Sequence, residues 1–336
     1  MKTTDPDIEL GVVIVSYNVS PLLRNCLLSL NGKLPPVSNK ILVVDNCSDD
    51  NSADMVRNDF PDCVLLVTNR NIGFGRANNL GVKAIRAKYY LILNPDTEIS
   101  NDIVAKMLAH IKANPGTGVV GCRMLMPTGE IQPSIYTLPN LVSTISGILQ
   151  LKQLLSVKYL QVLIQYASLL PTVKEYMESG RNVSEWEKTQ AVPGSCFLVD
   201  GSLWNKMGGF DENIFLYRED ADLFYRITHV AGSEIHLLPD TGVLHHVGKS
   251  FKTKFTPMSP YKHWSTLYYF RKNHGLFHYF VIATFLFSAA CARFLIAFFS
   301  HFESDSQKHQ YLRDCLLVMK ISVLGLNSFD PFPSSD

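Results

Sequence analysis

An α/β fold, a mostly parallel sheet flanked by helices with a hydrophobic helical appendage at the C-terminus, is what this 336-residue sequence predicts. Short β-branched apolar runs alternate with amphipathic helical segments through the N-terminal third. Each run ends in polar residues, as strands buried on both faces do where the chain leaves the sheet. Near the C-terminus, residues 276–299 are the most hydrophobic part of the chain and long enough to cross a bilayer.

The first run, residues 12–15, ends in Ser16-Tyr17-Asn18. Ser20 is then expected as a helix cap with Pro21 at the first helical position, and Leu22, Leu23, Cys26, Leu27 and Leu30 follow at helical spacing. Residues 41–44 repeat the strand design and end in Asp45-Asn46, which completes one β-α-β unit. A third run, 63–67, ends in Thr68-Asn69, a helix over about 75–87 follows, and 89–93 ends in Asn94-Pro95-Asp96. Alternation of this kind implies right-handed crossovers and a ligand crevice beyond the carboxyl ends of the strands. Tyr17, Asn18, Asp45, Asn46, Asn69, Asn71 and Asp96 all occupy such ends. Turn chemistry explains any one of them; the set points to a site.

Ser100 is expected to cap a helix running to about Asn114, which buries Ile103, Val104, Met107, Leu108 and Ile111 and stops at Pro115-Gly116. Residues 119–122 form the next strand candidate. Residues 138–176 are Leu-rich with helix-like spacing around Leu149, Leu151, Leu154, Leu155, Leu160, Val162 and Leu163, which suits packing beneath a cleft ahead of contact with lipid. Residues 181–188 read as a polar linker before the strand candidate 196–199. A further strand, 234–238, precedes Pro239-Asp240 and then a polar, Gly-containing segment with His245 and His246. Neutral imidazole joins carboxylate in binding divalent ions, so this His pair is a ligand candidate. Lys249, Lys252, Lys254 and Lys262 form a basic run that suits a solvated face, a diphosphate or anionic lipid headgroups.

Within 208–226, Phe215, Leu216 and Tyr217 lead into Glu219, Asp220 and Asp222, and Arg226 lies one helical turn beyond Asp222. Glu219 and Asp220 point in different directions, so one carboxylate can be fixed while its neighbour faces a cleft as a base. The residues also fit an acid-rich helix start favoured by the helix dipole.

Composition narrows the classes. With 46% hydrophobic and 18% charged residues the chain buries a substantial core, and 31 Lys plus Arg against 30 Asp plus Glu leave no global field for nucleic acid. The seven cysteines are odd in number, scattered and never in a C-x-x-C pair, which excludes a disulfide framework and a zinc knuckle and predicts reduced, mostly buried thiols. Residues 1–9 lack an apolar h-region, so the chain is expected to start in the cytoplasm, and Asn182-Val183-Ser184 is expected to be an accidental glycosylation match. In 276–299, His278 and Arg293 interrupt the apolar run and Arg271 and Lys272 flank it, so spanning, re-entrant and in-plane arrangements all fit, with a buried core helix as the other reading.

Taken in order, these pieces resemble the family 2 glycosyltransferases of GT-A fold, and within them the bacterial rhamnosyltransferase-like members. The resemblance covers most of residues 12–250. It rests on Val15-Ser16-Tyr17-Asn18, Val44-Asp45-Asn46-Cys47-Ser48-Asp49, the 71–79 segment Asn-Ile-Gly-Phe-Gly-Arg-Ala-Asn-Asn, Leu93-Asn94-Pro95-Asp96, Gly208-Gly209-Phe210-Asp211, Glu219-Asp220-Ala221-Asp222-Leu223 and His245-His246-Val247-Gly248-Lys249-Ser250. Each motif is weak alone, and the order is specific. Gly73, Gly75 and Gly81 lack dinucleotide spacing, which counts against an oxidoreductase, and no P-loop is present.

The resemblance implies a nucleotide-sugar donor, a divalent metal (Mg²⁺ or Mn²⁺) and an inverting displacement. Tyr17, Asn18 and Asp45 would hold the nucleotide, Arg76 and Asn78 would lie along its sugar and phosphate, and Asp96 and His245, ahead of His246, would bind the metal. Many relatives carry an acid where this chain has Asn94, so it offers the metal fewer carboxylates. Asp220 matches the family's base, Glu219 and Asp222 organise the acceptor loop with Arg226 balancing Asp222, and Gly194 and Ser195 line the acceptor side. The implied organisation is a GT-A domain over 1–265, with a nucleotide-sugar half at 10–122 and an acceptor half at 123–265, and a membrane-associating helical region over 266–336. The expected function is rhamnose transfer from its deoxythymidine diphosphate donor to a lipid-linked or polysaccharide acceptor at the cytoplasmic side of a bacterial inner membrane. Transfer of a hexose or N-acetylhexosamine from a uridine diphosphate donor, and a non-catalytic membrane scaffold with a degenerate nucleotide pocket, are the alternatives.

Overall fold

The computed structural model describes residues 8–132, 134, 137–149, 184–246, 259–300, 302 and 304–332. A single sheet carries strands β1 (Ile8–Ser16), β2 (Asn39–Asp45), β3 (Val64–Val67), β4 (Ala87–Leu93), β5 (Thr97–Ile99), β6 (Thr117–Leu125), β7 (Ile131–Gln132), β8 (Glu187–Thr189), β9 (Cys196–Asp200) and β10 (Glu234–His245). Its main order is β3-β2-β1-β4-β9-β6-β10-β5. The strands β3, β2, β1 and β4 pair in parallel, as the alternating sequence requires. The second half is mixed, because β9 enters antiparallel between β4 and β6. An antiparallel strand starts where its parallel neighbours end, so Cys196 pairs with Leu93 and the 194–195 turn lies beside Asn94.

The helices are α1 (Ser20–Leu30), α2 (Ser52–Asp59), α3 (Phe74–Ala84), α4 (Ile103–Ala113), α5 (Leu141–Ile148), α6 (Gly201–Met207), α7 (Glu219–Tyr225), α8 (Pro260–Phe299) and α9 (Asp305–Leu324). Alternation along β1 sends Leu10, Val12 and Ile14 to a core with α1 and α4, and Val13 and Val15 to a core that reaches α3, α6, α7, α8 and α9. The α1 face of Leu23, Cys26, Leu27 and Leu30 is buried as its spacing predicts.

Several local expectations shift. Val19, not Ser20, bounds α1, and the Ser20 N–H donates to Asp50 Oδ2. Helix α4 starts at Ile103 instead of at Ser100; Asn101 Oδ1 accepts from the Ile103 N–H while its amide donates to the Thr241 carbonyl, so the side chain that ends the loop comes one residue later. Pro239 does not end a strand: β10 runs through it by register shifts against β6, which absorb the missing N–H. Part of the presumed 181–188 linker pairs with β10 as β8. The start of the Leu-rich segment forms α5, with Asn140 and Ser143 in a reciprocal capping box. Its later leucines, Asn182 and Val183, and Lys249, Lys252 and Lys254 lie outside the described residues. All seven cysteines are unpaired, four of them buried.

Helix α8 is interrupted at Gly275, where φ 85° and ψ −179° leave the helical region. Before the break, Trp264, Leu267, Tyr269 and Phe270 are buried in the core. After it, Tyr279, Ile282, Ala283, Leu286 and Ala290 are buried, and Phe277, Phe280, Leu295 and Phe298 face outward. By length and composition, α8 is apolar enough to cross a membrane.

Candidate active site

The carboxyl ends of the parallel strands converge with the start of β9, the end of β10 and the first turn of α7. The loops after β1 and β2 lock together: the Asn18 N–H donates to Ser48 Oγ at 3.0 Å, and Asn18 Oδ1 accepts from the Asp49 N–H at 2.7 Å. Asn46 Nδ2 donates to Asn71 Oδ1 and Asn46 Oδ1 accepts from the Ile72 N–H, which fixes the loop before α3. Gly73 in that loop has φ 87°, and an added Cβ would lie 2.6 Å from the Phe215 carbonyl, so glycine is required where this loop meets the segment before α7.

Buried oxygens at these ends lack partners. Asp45 Oδ1 accepts from the Ser48 N–H, but its Oδ2 has no hydrogen bond, and neither do Ser16 Oγ, Asn78 Oδ1, Asn94 Oδ1, Asp96 Oδ1 or Glu219 Oε2. An unpaired buried acceptor costs about 1–3 kcal/mol, so a cluster of them calls for donors or a cation from a ligand. Tyr17, exposed at the β1 exit, offers an aromatic face beside them. Asn78 is buried in α3, its amide donating to the Phe74 carbonyl.

Asp96 and His245 come together across the sheet. Their registers meet through β5 and β10, where His245 pairs with Thr97, and His245 Nε2 lies 3.6 Å from Asp96 Oδ1. Gln132 Oε1 lies 2.9 Å from His245 Nδ1, which fits a protonated Nδ1 and leaves the Nε2 lone pair facing Asp96. Burial holds His245 below the usual imidazole range, against the opposing pull of Asp96, which keeps it neutral. His246 instead turns its Nε2 to Glu98 at 2.8 Å. Among the described residues no third His, Cys, Asp or Glu joins the pair. A hard divalent ion that keeps waters and takes phosphate oxygens needs only one or two protein ligands, so the orphaned Asp96 oxygen and the Nε2 lone pair fit such an ion.

On the other side, α7 begins from strained backbone. Tyr217 (φ 64°) and Arg218 (φ 71°) are consecutive non-glycine residues in the left-handed region; the other two among the described residues, Asn18 and Cys47, are at the β1 and β2 exits. Strain of about 1–3 kcal/mol per residue concentrated at one opening is typical of a functional site. It aims Asp220 at Gly194: an added Cβ there would lie 2.6 Å from Asp220 Oδ2. Asp220 Oδ1 accepts from the Ala221 N–H. Burial raises Asp220 above the usual carboxylate range, with Arg218 pulling the other way. Burial and then the charge of Asp220 raise Glu219 to about 8, so this neighbour carries the proton near neutrality. Ser195 is buried, with its hydroxyl on Met124 Sδ and its carbonyl accepting from the Asn94 N–H.

Asp222 is engaged differently. It is fully buried, accepts from Arg226 Nε at 2.8 Å, from Lys272 Nζ at 2.9 Å and from Asn273 Nδ2 at 3.0 Å, and so ties α7 to α8. Arg226 also donates to the Met207 and Gly209 carbonyls. The one-turn pairing of Asp222 with Arg226 is present, and it faces the helices. Arg76 turns toward the 211–215 loop, donating from Nε to the Glu212 carbonyl, with its guanidinium 3.7 Å from the Phe332 ring centroid. The site roles of Gln132, Thr266 and Lys272 escaped sequence reasoning because nothing local marks them: they meet His245, Arg218 and Asp222 from 113, 48 and 50 residues away. Arg218 did carry a signal, lying directly before Glu219-Asp220.

Comparison with known proteins bears on the family and the fold. The model of the family described as "Glycosyl transferase family 2" matches residues 11–154. The chain is 30% identical over 253 residues to an N-acetylglucosaminyl-diphospho-decaprenol L-rhamnosyltransferase of Mycobacterium tuberculosis, covering 72% of this chain and 77% of that one. It is 26% identical over 197 residues to rhamnosyltransferase WbbL of Escherichia coli, covering 54% and 65%. Among solved structures, the fold is similar to mannosyltransferase PcManGT of Pyrobaculum calidifontis in complex with GDP-Man and Mn²⁺, with a TM-score of 0.51 at 15% identity over 96% of this chain and 88% of that one. It is similar also to GalNAc-T7 with UDP, GalNAc and Mn²⁺, with a TM-score of 0.54 at 13% identity over 97% and 58%. With a relative of that identity and coverage, a matching family model and a GT-A-like sheet, this chain belongs to the family 2 glycosyltransferases.

Proposed function

We propose that the chain transfers rhamnose from a deoxythymidine diphosphate donor to a lipid-linked acceptor in cell-envelope glycan synthesis, with inversion at the anomeric carbon. The observation that carries the reading is the set of orphaned buried oxygens at the strand exits, opposite a raised Asp220. Rhamnosyl transfer to a lipid diphosphate acceptor is taken from the names of the relatives, one of which is a rhamnosyltransferase for a decaprenyl diphosphate-linked sugar. In this reading Tyr17, Asn18 and Asp45 hold the nucleotide. Asp96 and His245 would hold Mg²⁺ or Mn²⁺, which when bound neutralises the charge on the departing diphosphate. Asp220 takes the proton from the acceptor hydroxyl as its oxygen bonds to the anomeric carbon and the bond to the diphosphate breaks on the opposite face. Gly194, lacking a Cβ, leaves Asp220 open to that hydroxyl, and Glu219, holding its proton, spares the base a second adjacent charge.

We further propose that the outward face of α8 rests on the cytoplasmic surface of the membrane, in its plane. Phe277, Phe280, Leu295 and Phe298 supply an apolar face, and α9 runs back along the other side of the helix with Lys308 against the Phe298 carbonyl and Gly325 near Tyr279. A spanning α8 would draw α9, with its Arg313, Asp314 and Lys320, into hydrocarbon, whereas an in-plane helix keeps them in water. The catalytic region then comprises residues 1–265, braced by the start of α8 up to Gly275, with the remainder as membrane support.

A donor panel tests the transfer: purified protein with Mn²⁺, nucleotide sugars and membrane lipid extract, followed by nucleotide release. Release with the rhamnose donor alone among the panel is expected; release only with a uridine diphosphate sugar rejects the donor assignment. Asp220→Asn is expected to lower transfer by about 10²–10⁴-fold with donor binding intact. Because the base must be deprotonated and its carboxyl is raised, kcat/KM is expected to fall as pH drops through that raised value, with an acid limb above the ordinary Asp range. A limb at or below that range removes Asp220 from the role.

A further inference from the structure

The segment after α9, residues 325–332, lies against the cleft, and the transfer as described gives it no task. It turns at Leu326–Ser328, where the Leu326 carbonyl accepts from Trp264 Nε1 at 3.0 Å. The Tyr261 ring at the start of α8 meets Phe329 at 5.4 Å and Phe215 at 5.5 Å. Phe332 is thereby brought onto two groups at once: its ring stands edge-on to Phe215 at 5.6 Å, and the Arg76 guanidinium sits 3.7 Å from its centroid. Arginine donates in the plane of its guanidinium and stacks through its face. Arg76 can therefore hold the Glu212 carbonyl with Nε at 2.6 Å and the Phe332 ring with its charge in one conformation.

These two groups belong to opposite walls of the cleft. Arg76 is on α3, behind the loop that Asn46 fixes, and Phe215 is five residues before Asp220. Backbone acceptors already join the walls: the Phe74 N–H donates to the Phe215 carbonyl at 3.2 Å, and the Asn79 amide donates to the Phe210 carbonyl at 2.9 Å. The bonds from α3 stop at Phe215, whereas the left-handed residues that aim the base, Tyr217 and Arg218, come after it. Strained backbone persists only where its surroundings over-determine it. The Phe215 ring, buried against Tyr261 and Phe332, fixes the residue from which that strained turn departs.

We propose that Phe332 is a positioning residue for the transfer, locking the Arg76 guanidinium and the Phe215 ring together so that the strained start of α7 keeps Asp220 aimed at the acceptor hydroxyl. The assignment rests on the base reading above. It adds that the segment after α9 completes the cleft, and that Arg76 acts through this contact instead of on the donor. The groups that hold the donor in that reading are not among those Phe332 touches, so the lock acts on the chemical step and leaves donor affinity alone.

The test is steady-state transfer by the full chain, on the donor that supports turnover, in Phe332→Leu, which keeps apolar volume without a ring face, and Phe332→Tyr, which keeps the ring. Phe332→Leu is expected to lower kcat about tenfold with donor KM within about twofold, and Phe332→Tyr to stay within about twofold on both. Arg76→Met is expected to match Phe332→Leu, and the double variant to fall no further than either, because both remove one contact. Full activity in Phe332→Leu overturns the proposal, as does a double variant whose losses multiply to about a hundredfold. A raised donor KM with kcat intact in Arg76→Met places that guanidinium on the donor and also overturns it. Amide hydrogen exchange supplies a readout without turnover: Phe332→Leu is expected to exchange faster over residues 211–222 and unchanged in β1 and β2, at an unchanged urea midpoint. Unchanged exchange over 211–222, or faster exchange throughout the chain, overturns the local lock. Faster exchange confined to 211–222, with no turnover by the unmodified chain on any donor, leaves the lock standing and rejects the transfer reading instead.

Discussion

The two parts of α8, on either side of Gly275, differ in composition, the first mixed and charged and the second almost wholly apolar, and they have opposite employment. Before the break, Ser265 Oγ donates to the Leu216 carbonyl, Thr266 receives Arg218, Tyr268 and Lys272 hold Asp211, and Lys272 and Asn273 hold Asp222. Every one of these bonds reaches the 211–222 segment that aims the base. After the break, one face packs on α9 and the other presents Phe277, Phe280, Leu295 and Phe298 to the outside. The difference teaches that one continuous helix can serve its domain up to a break and face outward beyond it. The first part is a brace of the active site although it continues directly into the stretch proposed to meet lipid.

Removing the brace has the largest expected consequence. Asp222→Ala leaves Lys272 and Arg226 without their buried partner and is expected to cost about 3–5 kcal/mol, read as a lower midpoint in urea unfolding. A loss below about 1 kcal/mol would mean that the brace is ornamental and that the two parts of α8 are equivalent. Gly275→Ala is next. Nothing lies within 4 Å of an added Cβ there, so its cost is purely the backbone conformation at φ 85°. About 1–3 kcal/mol is expected, with weaker coupling between the parts, seen as lower transfer by a still-folded protein. Unchanged stability and activity would show that the break is not needed. The smallest effect on folding belongs to the far side: Phe277→Ser, Phe280→Ser and Phe298→Ser together are expected to shift stability by no more than about 0.5 kcal/mol per site. The same triple variant is expected to lose sedimentation with phosphatidylglycerol vesicles, and retained sedimentation would move the lipid contact elsewhere.

What was legible in the sequence follows a pattern. The β1–α1–β2 unit, the strand exits and the order of motifs all rest on neighbours close in the chain, so periodicity and spacing reveal them. Asp96 and His245 were nameable as a pair only through resemblance, since 149 positions separate them, and β5 and β10 bring them within 3.6 Å. The serines at 20 and 100 both satisfy the local capping rule, but Ser20 gives its own N–H to Asp50 of another loop with the helix already begun, and Asn101 takes the Ile103 N–H ahead of Ser100.

The acidic stretch shows the boundary most clearly. The sequence by itself determined that Glu219, Asp220 and Asp222 begin a helix and that Arg226 sits one turn from Asp222, because helical geometry is a property of adjacent residues. Only the tertiary structure decided which carboxylate does what. Lys272 and Asn273, about 50 positions away, engage Asp222, one with its charge and the other with an amide hydrogen bond; the bare Gly194 leaves Asp220 room; and burial keeps the proton on Glu219. A carboxylate's role is set by the charges, donors and water around it, and those arrive from distant segments that no local spacing encodes.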